Sequence, residues 1–217
     1  MLGYDTQKGL KNMEKNYIFG SEHNGQNSSS IPSDMMYVYS PICKEFKTFT
    51  LGDDCIHNVH SDAYKAPYDY QYVSAVTVEK YTVGTEISTT CDFESYGAPL
   101  IVFSDDIRRE GAHFRYGAHY EVVAYEGGCN VWYIVPEPER EERPIRTSKI
   151  AFKQFKIKNG ERIEMSVRIT KGKLTVLING QLLEVQHDSI PEAFHVGITA
   201  CEGLNRFYDF RIGKINE

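Results

Sequence analysis

The chain lacks any run of about 18 consecutive apolar residues, the least that a membrane-spanning helix requires, so no membrane partner is expected. It lacks a basic block. Its 24 lysines and arginines are spread among 30 acidic residues for a net charge of −6, which argues against a nucleic-acid partner held by phosphate neutralisation. It lacks paired cysteines. Cys43, Cys55, Cys91, Cys129 and Cys201 stand singly; with no apolar stretch near the N-terminus, they predict reduced thiols and a cytoplasmic location. G-x-S-x-G, Walker and H-E-x-x-H motifs are missing, which removes the easily read hydrolase, nucleotide-binding and zinc-protease chemistries. The pair Gly127-Gly128 sits beside Glu126 with no helix after it, so it is no phosphate cradle. Helical periodicity over ten or more residues is also hard to find. Ser189 to Phe194 is the one candidate for a helical turn.

Present instead are aromatics, 15 Tyr and 11 Phe with a single Trp, in short runs split by turn signals. Residues 1–34 include a Gly/Asn/Ser-rich stretch from Gly20 to Ser33 and are assigned to a flexible segment. Residues 35–217 form one domain. Its expected strands are Met36–Tyr39, Glu45–Leu51, Tyr70–Glu79, Thr85–Phe93, Pro99–Ser104, His119–Tyr125, Asn130–Val135, Lys149–Ile157, Arg162–Ile169, Leu174–Ile178, Gln181–Val185, His195–Ala200 and Arg206–Ile212. Glycines at 127 and 128 predict a hairpin between the sixth and seventh. Asn159-Gly160 and Asn179-Gly180 predict two more. About one strand every ten residues points to an all-β sandwich or barrel.

Three features of the C-terminal half occur in order. They are Arg162-Ile-Glu-Met-Ser-Val-Arg-Ile169, then Gly172-Lys-Leu-Thr-Val-Leu-Ile-Asn-Gly180, then Val196-Gly-Ile-Thr-Ala-Cys-Glu-Gly203 with Phe207-Tyr-Asp-Phe-Arg-Ile212. From about Tyr70 to Gly213 the chain resembles the concanavalin A-like lectin/glucanase superfamily. Laminin-G-like domains and the domains of 3-keto-disaccharide hydrolases are the nearest in pattern. The resemblance implies a jelly-roll sandwich of two antiparallel sheets whose concave face takes a saccharide. It also implies a structural calcium held through Asp209 in the closing strand.

Family-16 glucanases carry Glu-x-Asp-x-Glu on one strand, where period-2 alternation places the carboxylates together. The only near match here is Glu137-Pro-Glu-Arg-Glu141, which Pro138 and the following charges mark as a solvated loop. Laminarinase-type hydrolysis is therefore not expected. Attention falls on the hairpin from His119 to Val135. There Tyr120, Val122 and Ala124 read as core, leaving His119, Glu121 and Tyr125 on the other face. Glu121 and His119 are the acid/base candidates. Trp132, Tyr125 and Asn130, with Arg115 from the charged loop before the hairpin, are the ligand-binding candidates. Two readings of Trp132 stay open, a sugar-stacking platform or a filler of the sandwich core. Asp54 to Asp62 holds Cys55, His57, His60 and Asp62, all metal-ligand types, without structural-zinc spacing. The functional expectation is a saccharide-binding protein. The alternatives are a glycoside hydrolase or lyase of the same fold, and an interaction protein with no small ligand.

Overall fold

The computed structural model describes residues 14–21, 30–59, 71–140 and 143–215. Strands run through them in close succession, and no helix is present among the described residues. The first four are short: β1 (Lys15–Ile18), β2 (Met35–Tyr39), β3 (Thr50–Leu51) and β4 (Ile56–His57). Next come β5 (Tyr72–Thr77), β6 (Tyr81–Thr82), β7 (Thr85–Glu94) and β8 (Ala98–Ser104). A small hairpin, β9 (Ile107–Glu110) and β10 (His113–Tyr116), precedes the long pair β11 (His119–Tyr125) and β12 (Gly128–Pro136). The chain continues through β13 (Ile145–Gln154), β14 (Ile163–Thr170), β15 (Lys173–Ile178) and β16 (Gln181–Gln186). It closes with β17 (Ala193–Cys201), β18 (Leu204–Phe207) and β19 (Asp209–Lys214).

Two sheets result. One runs β16-β15-β14-β7-β18-β4-β3, with β19 joined to β7 and β1 joined to β19. The other runs β13-β12-β11-β8-β17-β5-β2-β10-β9, with β6 on β17. All pairings are antiparallel except β10 on β2. The sheets bury their facing sides against each other. Alternation decides which side: Ile163, Met165, Val167 and Ile169 of β14 meet Tyr120, Val122 and Ala124 of β11 in one core, while Glu164, Arg168 and Thr170 stay in water. This is the all-β two-sheet sandwich that the resemblance implies, and of the sandwich and the barrel that the strand pattern left open it is the sandwich.

Several expectations change. Within the segment assigned as flexible, Lys15–Ile18 pair with Asp209–Ile212, and Phe19 enters the core. Of Glu45–Leu51 only Thr50–Leu51 is strand. Phe46 instead stacks on His113 at 3.7 Å between centroids, and Phe49 fills the core. Ser189–Phe194 makes no helix; Ala193 and Phe194 already belong to β17.

The two Asn-Gly steps behave differently. Asn179 and Gly180 both have positive φ (46° and 78°) and close the β15–β16 hairpin, as a type I′ turn requires. At Asn159-Gly160 only the glycine has positive φ, and no hairpin forms. β13 stays in the sheet of β12 while β14 pairs with β7 and β15 in the other. Phe155 and Ile157 pack toward the core between the sheets. The turn residues are therefore those of a crossing between layers, not of a strand pair.

Candidate functional site

The outer face of the β13-to-β9 sheet is hollowed into a cleft of about 1160 Å³. One half of this face is filled. Val38, Tyr39, Cys43, Tyr72, Val76, Val102 and Tyr116 form a second, smaller cluster there. The other half, over β11, β12 and β13, stays open. Register brings its residues together: Glu121 lies opposite Trp132, Val123 opposite Asn130, and Tyr125 opposite Gly128. Residues opposite one another in an antiparallel pair share a face. Glu121, Tyr125, Asn130 and Trp132 all line the cleft. Trp132 is thus on the outer face, not between the sheets, and the core-filler reading is ruled out. The Lys149 ammonium lies 5.2 Å from the centre of its ring. The amide oxygen of Asn130 has no hydrogen-bond partner among the described residues.

Glu121 is the most constrained of these groups. It is 8% exposed, and His119 behind it is fully buried. The Tyr72 hydroxyl donates to Glu121 Oε1 at 2.8 Å, and His119 Nε2 lies 3.5 Å from the same oxygen. The Gly117 carbonyl lies 2.8 Å from His119 Nδ1. A carbonyl only accepts, so Nδ1 carries the proton and Nε2 of a neutral ring is a bare acceptor. The contact with Glu121 becomes attractive when one further proton lies between them. The His119 ring stacks on Tyr116 with centroids 4.6 Å apart. Tyr116 in turn bonds Ser74 at 2.6 Å, and Ser74 bonds Thr199 at 2.6 Å. Burial, with the nearby Glu121 charge, pushes the Tyr72 phenol far up, and burial does the same to Tyr116. Both hydroxyls therefore stay protonated as donors. Glu121 Oε2 receives no hydrogen bond from a described residue. A carboxylate oxygen so placed in a cleft wall is an acceptor for a ligand hydroxyl.

Two turns that cross between the sheets, β7 to β8 and β17 to β18, supply groups that sequence reasoning missed. Glu202 and Tyr96 both line the cleft. Tyr96 is 85% exposed and has φ 64°, next to Ser95 at φ 54°. Non-glycine residues held in that region cluster at functional sites. Glu202 (φ 53°) precedes Gly203, where an added Cβ would meet the Gly97 nitrogen at 2.2 Å. The two turns thus pack backbone to backbone. Buried Asn58 fixes the second turn by donating to the Gly203 carbonyl at 2.7 Å and accepting from the Asn205 amide at 2.8 Å. Loss of solvation pushes the Glu202 carboxyl above its usual range. Cys201 is flanked by both Glu121 and Glu202, whose charges, added to burial, push its thiol far up. Tyr96 lies in the gap between the expected strands Thr85–Phe93 and Pro99–Ser104, and Gly97 beside it is the one signal there.

The sandwich has counterparts among solved structures. An endo-acting O-glycanase of the human gut microbiota that initiates mucin breakdown matches with a TM-score of 0.59 and 9% identity, over 92% of this chain and 100% of that one. The Ca²⁺/Man2-bound exoplasmic/lumenal domain of VIP36 matches at 0.54 and 13%, over 93% and 88%. The carbohydrate-binding module CBM66 of Bacillus subtilis matches at 0.52 and 9%, over 78% and 95%. The fold is concanavalin A-like. No protein-family model and no curated sequence matches the chain. At these identities the likeness defines the fold, and lectins, binding modules and glycanases share the concanavalin A-like sandwich.

Two of the expected site residues lie elsewhere in this fold. Arg115 does not line the cleft. Its guanidinium donates to the Ser40 and Cys43 carbonyls at 2.8 and 3.0 Å and pairs with Glu110. It therefore shapes the loop that brings Ser40 and Ile42 to the cleft wall. Asp209, the expected calcium ligand, is also committed. It accepts from the Thr90 amide and hydroxyl at 2.8 and 3.0 Å and pairs with Arg211. Calcium needs six to eight oxygens, and no group of three His, Cys, Asp or Glu suited to a metal exists among the described residues. Asp209 does not fit a calcium site. His60 and Asp62 lie outside the described residues, as does Glu141 of the rejected acidic run. His57 Nδ1 lies 3.0 Å from the Asn58 carbonyl, and Glu137 pairs with Arg140 and Arg146.

Proposed function

We propose that this chain binds a saccharide in the cleft of its hollowed sheet. The observation that carries the reading is the row across β11 and β12. Glu121 has one oxygen fixed by the Tyr72 hydroxyl and the other free, and it lies opposite Trp132 with Asn130 and Tyr125 alongside. Sugars offer hydroxyls to fixed polar groups and C–H faces to aromatic rings, so such a wall, aromatic with a few placed polar atoms, suits them. The fold neighbours support it. VIP36 is described with bound mannose saccharides, CBM66 is a carbohydrate-binding module, and another acts on mucin O-glycans. The test is a glycan-panel thermal-shift assay on wild type and Glu121→Gln. One sugar class raises the midpoint of the wild type by mass action and leaves the variant unmoved. No shift from any glycan would instead favour the interaction-protein reading.

A second reading, hydrolysis of the bound saccharide, is favoured by one observation: Glu121 faces His119 across 3.5 Å, and a second carboxyl, Glu202, lines the same cleft. In that reading Glu121 donates a proton to the leaving oxygen, and Glu202 takes a proton from the attacking water. New reducing ends formed by wild type and not by Glu121→Gln decide for it.

A further inference from the structure

The distribution of cations around the cleft is uneven. Among the described residues, many basic side chains are matched to a carboxylate: Lys15 to Asp34, Arg168 to Glu86, Arg206 to Asp92 and Glu94, Arg211 to Asp209. Lys156 and Lys158 are not. Both line the cleft and are exposed, and neither ammonium has an ion pair or hydrogen bond among the described residues. Glu126 lines the same cleft without pairing to either.

Their placement is fixed by the backbone. The Phe155 and Ile157 amides donate to the Gly127 and Glu126 carbonyls at 3.2 and 3.1 Å, and the Ile157 side chain is buried in the core. In extended chain, the neighbours of an inward residue point outward together. Lys156 and Lys158 thus leave the chain on the same side, beyond the β11–β12 turn, and line the cleft that Glu121 also lines. Unpaired lysines on a pinned segment offer positive charge to a ligand, in a cleft that Glu121, Glu126 and Glu202 also line.

We infer that the cleft takes a saccharide bearing an anionic group, a carboxylate or a sulfate, with Lys156 and Lys158 as its anion-binding residues. This rests on the saccharide reading of the cleft and deepens it. Glu121 takes hydroxyls of the same ligand, at a distance from the anion.

The full chain is titrated calorimetrically with trigalacturonate, with its methyl ester as the uncharged twin, and with a sulfated trisaccharide beside its desulfated form. An acidic form is expected to bind about tenfold more tightly than its neutral twin, with the advantage shrinking at high salt. Lys156→Gln/Lys158→Gln is expected to abolish that advantage, the acidic form then binding no more tightly than its neutral twin; both lysines are exposed, so folding is retained. Preference for the uronate or for the sulfate alone supports the inference and identifies the anion. Equal binding of acidic and neutral forms, or an acidic preference that survives the double substitution, overturns the inference while the saccharide reading stands. Failure of every charged and neutral glycan to bind overturns both.

Discussion

His119 Nε2 and Glu121 Oε1 lie 3.5 Å apart on one strand, two residues from each other and on the same face. A buried carboxylate is costly unless matched, and here only the Tyr72 hydroxyl donates to it, at one of its two oxygens. Glu121→Gln keeps the shape but offers an amide where a ligand hydroxyl needs an acceptor. We predict a loss of saccharide affinity of about tenfold or more, with the folded structure retained. Calorimetric titration with the sugar found by the glycan panel checks it, alongside circular dichroism of the variant.

Trp132→Ala separates platform from core. A tryptophan packed inside a core costs about 3–5 kcal/mol on truncation. Trp132 lies on the outer face and lines the cleft, so its loss is expected to cost under about 2 kcal/mol of stability. The affinity for saccharide should fall severalfold at the same time. Urea unfolding of the two proteins reads the first quantity and titration the second.

Gly117 is where a small residue holds the histidine in place. Its carbonyl fixes His119 Nδ1, and a Cβ added there would fall 1.9 Å from Asp106 Oδ2, a carboxylate already bonded to Arg108. Gly117→Ala should therefore cost about 1–3 kcal/mol through forced displacement. The double variant Gly117→Ala/Asp106→Ala should recover part of it. Chemical denaturation of the four proteins of this cycle gives the coupling.

A pH dependence follows from His195. Its Nδ1 lies 2.9 Å from the Thr77 carbonyl, and burial holds the imidazole below its ordinary value. The unfolded chain then takes up the proton first. The stability His195 contributes is whole above about pH 6.5 and is lost as pH falls through the lower folded-state value. Denaturant midpoints measured on either side of that window should drop with acid more steeply in wild type than in His195→Asn.

Much of this was legible in the sequence. Alternation along His119–Tyr125 separated Tyr120, Val122 and Ala124, now in the core, from His119, Glu121 and Tyr125 on the other face, because a strand's period is fixed by its geometry. What stayed hidden was non-local. The Asn159-Gly160 signal is local, and nothing in it tells whether the next strand pairs beside its predecessor or crosses to the other sheet. Arg115 was spoken for by the Ser40 and Cys43 carbonyls and Asp209 by Thr90, partners far away in sequence, while the pairing of Asp209 with Arg211 is local to β19. Tyr96 and Glu202 became neighbours only because two distant turns, at 95–97 and 201–204, pack against each other.

The most direct measurement uses the fact that Trp132 is the only tryptophan. Its emission is followed while a glycan panel is titrated into wild type and Glu121→Gln. The account predicts a saturable change in emission with one sugar class, absent in the variant. A glycan that binds by calorimetry while leaving Trp132 emission unchanged, or a panel in which none binds, would contradict it.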